Sequence, residues 1–181
     1  EGPSFFLRAS YLEARGLDVP EPGTTLSDED FAGYFFAARC LLAERQALAY
    51  LARAEQCRLK IEQKLSQKGF SGEEIKNALD FLEISGYLDN ERFCEAWLRN
   101  RVIHHAEGRI MLIAGLRARG ISRDLAEKTV SSFLLEHDEK TLCLKAMDKL
   151  RRAGKEGQKA MFALQKKGFS RKIVTECLGM Y

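Results

Sequence analysis

Five cysteines, three histidines and a scatter of cations are the residues of this chain with chemistry to offer. Cys40, Cys57, Cys94, Cys143 and Cys177 stand far apart, and no two form a Cys-x-x-Cys pair. An odd, dispersed set predicts reduced thiols acting as small buried hydrophobes, and so neither a disulfide frame nor a zinc site. His104 and His105 are neighbours, and neighbours on a helix point to different sides, so they are not expected to share a metal. The sequence contains no Gly-x-x-x-x-Gly-Lys phosphate loop, no Gly-x-Gly-x-x-Gly and no His-Glu-x-x-His. No Ser or Cys has a recognisable base in its sequence context. These observations predict a protein that is not an enzyme and holds no cofactor or metal.

Charge is what remains, and it is unevenly placed. Residues 1–46 carry four Lys/Arg against eight Asp/Glu, residues 47–108 nine against ten, and residues 109–181 sixteen against eight. The C-terminal region would attract a polyanion or an acidic protein, and the N-terminal region would repel one. Lys60, Lys64 and Lys68 stand at i, i+4 and i+8, which on a helix makes one basic stripe. Lys159, Lys166 and Lys167 occupy a comparable stretch later in the chain. Arg92 and Arg99 fall off the face formed by Phe93, Ala96 and Trp97, which reads as core. With Arg101, Arg117 and Arg119, these cations are the candidate contacts for a partner or for DNA.

The elements that must position them announce themselves through repetition. LSQKGFS at 65–71, LRARGIS at 116–122 and LQKKGFS at 164–170 share one pattern. A Leu (Leu65, Leu116, Leu164) precedes a Gly (Gly69, Gly120, Gly168) by four residues. A base (Lys68, Arg119, Lys167) comes immediately before that Gly. An apolar residue and a Ser (Ser71, Ser122, Ser170) follow it. Gly supplies the left-handed residue that ends a helix, and the preceding cation suits the negative end of the helix dipole. The Ser caps a second helix, and Ser71-Gly-Glu-Glu74 reads as a capping box. Another helical stretch precedes each corner: AERQALAYLARAEQ, NERFCEAWLRNRVI and EKTLCLKAMDKLRR.

The expected fold is therefore all-α, a tandem array of three-helix repeats at 46–89, 90–136 and 137–181, elongated or curved as stacked repeats are. Residues 1–45 form a separate N-terminal segment. Within it SFFLRASYL is expected to give short extended pieces, and Ser27 with its acidic followers to start a helix through Phe31–Leu42. No run of about 18 apolar residues is present, so no membrane span is expected. No signal peptide is visible, and the first residue, Glu1, is not Met, so further residues are expected upstream. A cytoplasmic monomer is the expectation.

The stretch LARAEQCRLKIEQKLSQKGFSGEEIKNALDFLEISGYLDNERFCEAWLRNR closely resembles the RecX family of bacterial regulatory proteins. Members share a Leu-Ala-Arg helix, a basic helix ending Lys-Gly-Phe and a run Gly-x-Leu-Asp-Asp-Glu-Arg-Phe-Ala-Glu-Ala-Tyr. Here that run reads Gly86-Tyr87-Leu88-Asp89-Asn90-Glu91-Arg92-Phe93-Cys94-Glu95-Ala96-Trp97. The resemblance implies tandem three-helix repeats that bind the RecA recombinase and its filament on single-stranded DNA. It further implies suppression of strand exchange and ATP hydrolysis, and in some members direct DNA binding. One stretch departs from the family pattern: Gly108-Arg109-Ile110-Met111-Leu112-Ile113 is more apolar than its family counterpart, and Gly115 interrupts its helix. That helix is expected either to pack more deeply or to offer an apolar contact to a partner. The rival reading is a helix-turn-helix nucleic-acid binder, since a tight Gly corner between helices also occurs there.

Overall fold

The computed structural model describes residues 6–179, and among them all regular structure is helical. The chain divides into two compact units, Glu1–Asp89 and Asn90–Tyr181. The first holds α1 (Ala9–Glu13), α2 (Asp28–Leu51), α3 (Arg58–Gln67) and α4 (Gly72–Ile84). The second holds α5 (Asn90–His104), α6 (Arg109–Arg117), α7 (Arg123–Glu136), α8 (Glu139–Arg152), α9 (Gly157–Lys166) and α10 (Arg171–Leu178).

In the first unit α2 is a spine serving two clusters. Ser27 caps it by accepting from the Asp30 N–H, and Asp28, Glu29 and Asp30 fill its first turn. Tyr34, Ala37, Cys40 and Leu41 pack with Tyr11 and Leu12 of α1. One turn on, Ala43 and Ala47 close over Ile61 and Leu65 of α3 and Ile75, Leu79 and Leu82 of α4. The helix expected to stop at Leu42 runs on to Leu51 and takes in most of AERQALAYLARAEQ. No Gly or Pro lies between residues 42 and 51, and Ala, Leu, Glu, Arg and Gln propagate a helix readily.

The extended piece expected over SFFLRASYL is corrected over most of its length. Residues 6–8 have no regular structure and Ala9–Glu13 is helix, while Ser4 and Phe5 lie outside the described residues. The cause is Glu44, nearly sealed from solvent on α2. It accepts from the Arg8 guanidinium (Nε to Oε2, 2.9 Å) and from the Tyr11 hydroxyl (2.9 Å). A helical turn puts positions 8 and 11 on one side, whereas a strand would put them on opposite faces.

The repeated heptapeptide forms the same corner each time. Gly69, Gly120 and Gly168 have φ of 79°, 80° and 86°, a region that L side chains rarely enter. The apolar residue after each Gly then bonds back to the carbonyl of the repeated Leu. Phe70 N–H reaches Leu65, Ile121 reaches Leu116 and Phe169 reaches Leu164, all at 3.3 Å. This is the six-to-one bond of a Schellman ending. All three leucines are fully buried, so each anchors its corner by backbone and side chain together. Ser71, Ser122 and Ser170 cap α4, α7 and α10, with the capping box complete at Ser71 and Glu74.

In the second unit Cys94, Leu98, Leu112, Leu116, Ala126 and Val130 are fully buried where α5, α6 and α7 meet. Leu142, Cys143, Ala146, Leu164, Val174 and Cys177 form the cluster of α8, α9 and α10. The two trios join through backbone at the start of α6. Gly108 N–H donates to the Lys167 carbonyl (2.9 Å) and Ile110 N–H to that of Gly168 (3.2 Å), while Arg109 N–H takes Glu139 Oε1 (2.8 Å). These bonds occupy amide donors that a helix start otherwise leaves bare. Any Cβ on Gly108 would collide with the backbone of Gly168, and one on Gly168 with the backbone of Met111.

Candidate partner-binding surface

The candidate cations divide into those committed to the fold and those left exposed. On α3, Lys60 and Lys68 are exposed, but Lys64 is half-buried. Its ammonium donates to Gln56 Oε1 (2.5 Å) and lies 4.5 Å from the centre of the Tyr50 ring. Burial lowers its pKa, and the charges of Lys60 and Arg53 add to that effect. The three lysines thus share a face without sharing a role.

Arg101 and Arg119 are also committed. Arg101 makes a two-pronged pair with Glu107 (2.8 and 2.7 Å), which raises the guanidinium pKa. Arg119 donates to the Gly115 carbonyl (2.7 Å). Both guanidiniums lie over the Trp97 ring, at 5.7 and 4.9 Å from its centre. Gly115 is what admits that ring, since a Cβ there would sit 2.5 Å from Trp97 Cη2. The glycine that weakens α6 by sequence is the space into which the indole fits.

Phe93 is buried as its face predicts, whereas Ala96 and Trp97 are half-buried; Cys94 and Leu98 complete the interior side of α5. Arg92 and Arg99 are exposed on the other side of α5, and Arg99 stands 3.8 Å from Glu95. Arg117, Lys159 and Lys166 are exposed, and Lys167 is half-buried beside the backbone clasp. The basic residues before the three corners are therefore not equivalent: Lys68 is exposed, Arg119 stacks on Trp97, and Lys167 is partly covered. On α6, Leu112 and Leu116 are fully buried, while Ile110 and Met111 face outward. The apolar stretch is deep on one side and bare on the other.

A further basic cluster, outside the candidate cations of the sequence, lies on α8. Lys145, Lys149 and Arg152 lie at i, i+4 and i+7 on α8, are all exposed, and make no ion pair among the described residues. With Arg99 of α5 they line a cleft of about 650 Å³. The spacing was present in EKTLCLKAMDKLRR, but which side of α8 faces a cleft depends on the packing of α5.

Among the described residues no group of three or more His, Cys, Asp or Glu is arranged to hold a metal ion. All five cysteines are buried free thiols, and burial pushes Cys40 and Cys143 up to about 12. No described helix is long and apolar enough to cross a membrane.

Comparison with known proteins places this architecture. The family model for the first three-helix domain of RecX matches residues 43–82, and that for the second matches residues 89–130. A protein of Treponema pallidum strain Nichols, named regulatory protein RecX, is 37% identical over 158 residues, covering 87% of this chain and 96% of its own. One of the same name from Pelodictyon phaeoclathratiforme is 32% identical over 103 residues, 57% of this chain and 62% of its own. A crystal structure of regulatory protein RecX superposes with a TM-score of 0.79 at 23% identity, over 96% of this chain and 88% of that one. The RecX structure from Lactobacillus salivarius gives 0.69 at 18% identity, over 79% and 98%.

Proposed function

Because the chain belongs to the RecX family, we propose that it binds the RecA recombinase on its single-stranded DNA filament and lowers strand exchange and ATP hydrolysis. The observation that carries this is similarity to a protein named regulatory protein RecX along 96% of that protein's length. The ATP in this reading belongs to the recombinase, consistent with a sequence lacking a phosphate loop. We further propose three functional units at 46–89, 90–136 and 137–181, acting as a cytoplasmic monomer, with direct DNA contact secondary. The helix-turn-helix alternative needs a post-corner helix free to enter a groove lined by phosphates. On α4 that helix carries Glu73, Glu74, Asp80 and Glu83, which phosphates would repel.

The test is RecA-catalysed, DNA-dependent ATP hydrolysis with and without the protein. The expected result is a fall in rate at concentrations well below those needed for sequence-independent DNA binding. Equal concentration dependence of the two effects would instead identify competition for DNA, and an unchanged rate would remove the proposal.

A further inference from the structure

The cleft between α5 and α8 combines two kinds of surface. Its rim is basic, with Arg99 on one side and Lys145, Lys149 and Arg152 on the other; among the described lining residues Asp148 is the one carboxylate. Its wall is apolar: Val102 packs onto the buried cluster of α8 to α10, and Ile103 is 75% exposed. That open isoleucine stands beside three exposed cations, Lys145, Lys149 and Arg152, that make no ion pair among the described residues.

We propose that this cleft docks an acidic peptide segment of a protein partner, its carboxylates meeting the rim and an apolar side chain entering over Val102 and Ile103. Lysine and arginine recognise carboxylates through charge-assisted hydrogen bonds, and apolar anchors in a groove fix the register of a bound segment. A nucleic-acid strand fits less well. Base binding without sequence readout relies on aromatic platforms, and no Phe, Tyr or Trp is among the described lining residues. The one planar ring there, His137, already has a face covered by Phe133, with centroids 4.1 Å apart. The proposal rests on the regulatory reading only in assigning the segment to that partner. Peptide binding is measured without recombinase or DNA, so either reading can fail alone.

The test is fluorescence anisotropy of the intact protein with a short fluorescein-labelled peptide alternating Glu or Asp with Leu. Neutralising Lys145→Gln, Lys149→Gln and Arg152→Gln together should weaken binding about tenfold or more, given close charge pairs across an interface. Replacing the peptide's Leu by Ser, or Ile103→Ser in the protein, should weaken it several-fold. Arg53→Gln with Lys76→Gln, exposed cations of the first unit, should leave it unchanged. Undiminished binding by the neutralised variant overturns the proposal. So does displacement of the peptide by oligothymidine together with indifference to Ile103→Ser, which would make the cleft a phosphate site. If the triple variant unfolds on circular dichroism, Ile103→Ser and the salt dependence of wild-type binding decide. Loss of both effects would still overturn the proposal.

Discussion

The α2–α4 layer of the first unit and α8 of the second set their cations in opposite surroundings. Around α2 and α4, Arg39 and Arg58 clamp helices together. Arg39 grips Glu74 through two bonds (2.9 and 3.0 Å) and takes the Gly69 carbonyl (2.6 Å). Arg58 reaches Glu62, Asp80 and Glu83 at 2.9, 2.8 and 2.6 Å, tying α3 to α4. On α8, Lys145, Lys149 and Arg152 touch no carboxylate among the described residues. Charge paired with carboxylates across helices holds the fold, while in the proposal above the charge on the cleft rim is left for a partner. Mutation should separate the two roles, stability responding in one region and binding in the other.

The sharpest contrast is expected at Arg39→Ala. It strands Glu74, whose carboxylate also serves the Ser71 cap, so unfolding in urea should show a loss of about 2–3 kcal/mol. The same pair sets an acid dependence. Burial pushes the Glu74 carboxyl up, but the bonds from Arg39 and Ser71 outweigh it and hold it below its ordinary 4.5. A carboxyl depressed on folding stabilises fully above its unfolded value, and that stability drains away as pH falls through the folded one. Urea midpoints from pH 6 downward should therefore fall less steeply in the Arg39→Ala variant than in the parent. An equal slope would detach Arg39 from that titration.

Gly115→Ala comes next in size. Helix propensity alone favours the change by about 1 kcal/mol. The Cβ would instead strike Trp97, and overpacking of this kind costs about 1–3 kcal/mol. A fall in thermal midpoint supports the packing account, and a rise would refute it.

A smaller difference should distinguish Arg119 from Lys68, which the repeat makes look alike. Arg119→Glu removes the cation from the face of Trp97 and should cost about 1 kcal/mol, read as a lower urea midpoint. Exposed Lys68→Glu should cost less, about 0.5 kcal/mol, from its place at the negative end of the α3 dipole. Least of all should be the effect on stability of Lys145→Gln, Lys149→Gln and Arg152→Gln together, again within about 0.5 kcal/mol. Under the proposed function, the triple variant should nevertheless inhibit RecA ATP hydrolysis less than the parent does. A destabilised triple variant would break the contrast between the regions.

What could be read from the sequence was what short-range chemistry dictates. The three Leu-to-Ser corners, the Ser71 capping box and the span of α8 follow from residues within a turn or two of one another, and the structure has them there. The course of the first 45 residues was harder. Helix α1 exists because Glu44, far along the chain, gathers Arg8 and Tyr11. Similarly, nothing near Gly115 announces Trp97, and nothing near Lys149 announces Arg99 across a cleft. The candidate cations were visible as charges, but whether Lys64, Arg101 and Arg119 were already engaged was set by tertiary neighbours.

The glycine clasp also imposes an order in time. Chains emerge from the ribosome N-terminus first, and domains generally fold as they emerge. The two clusters around α1 to α4 are built from residues within 6–89, so that core can form early. Helix α6 does not, because the carbonyls that receive Gly108 and Ile110 belong to residues 167 and 168. Its first turn must wait, unsealed, while α7, α8 and α9 are synthesised. Nascent chains arrested before residue 168 should show rapid hydrogen exchange at those two amides, and release of the full chain should quench it.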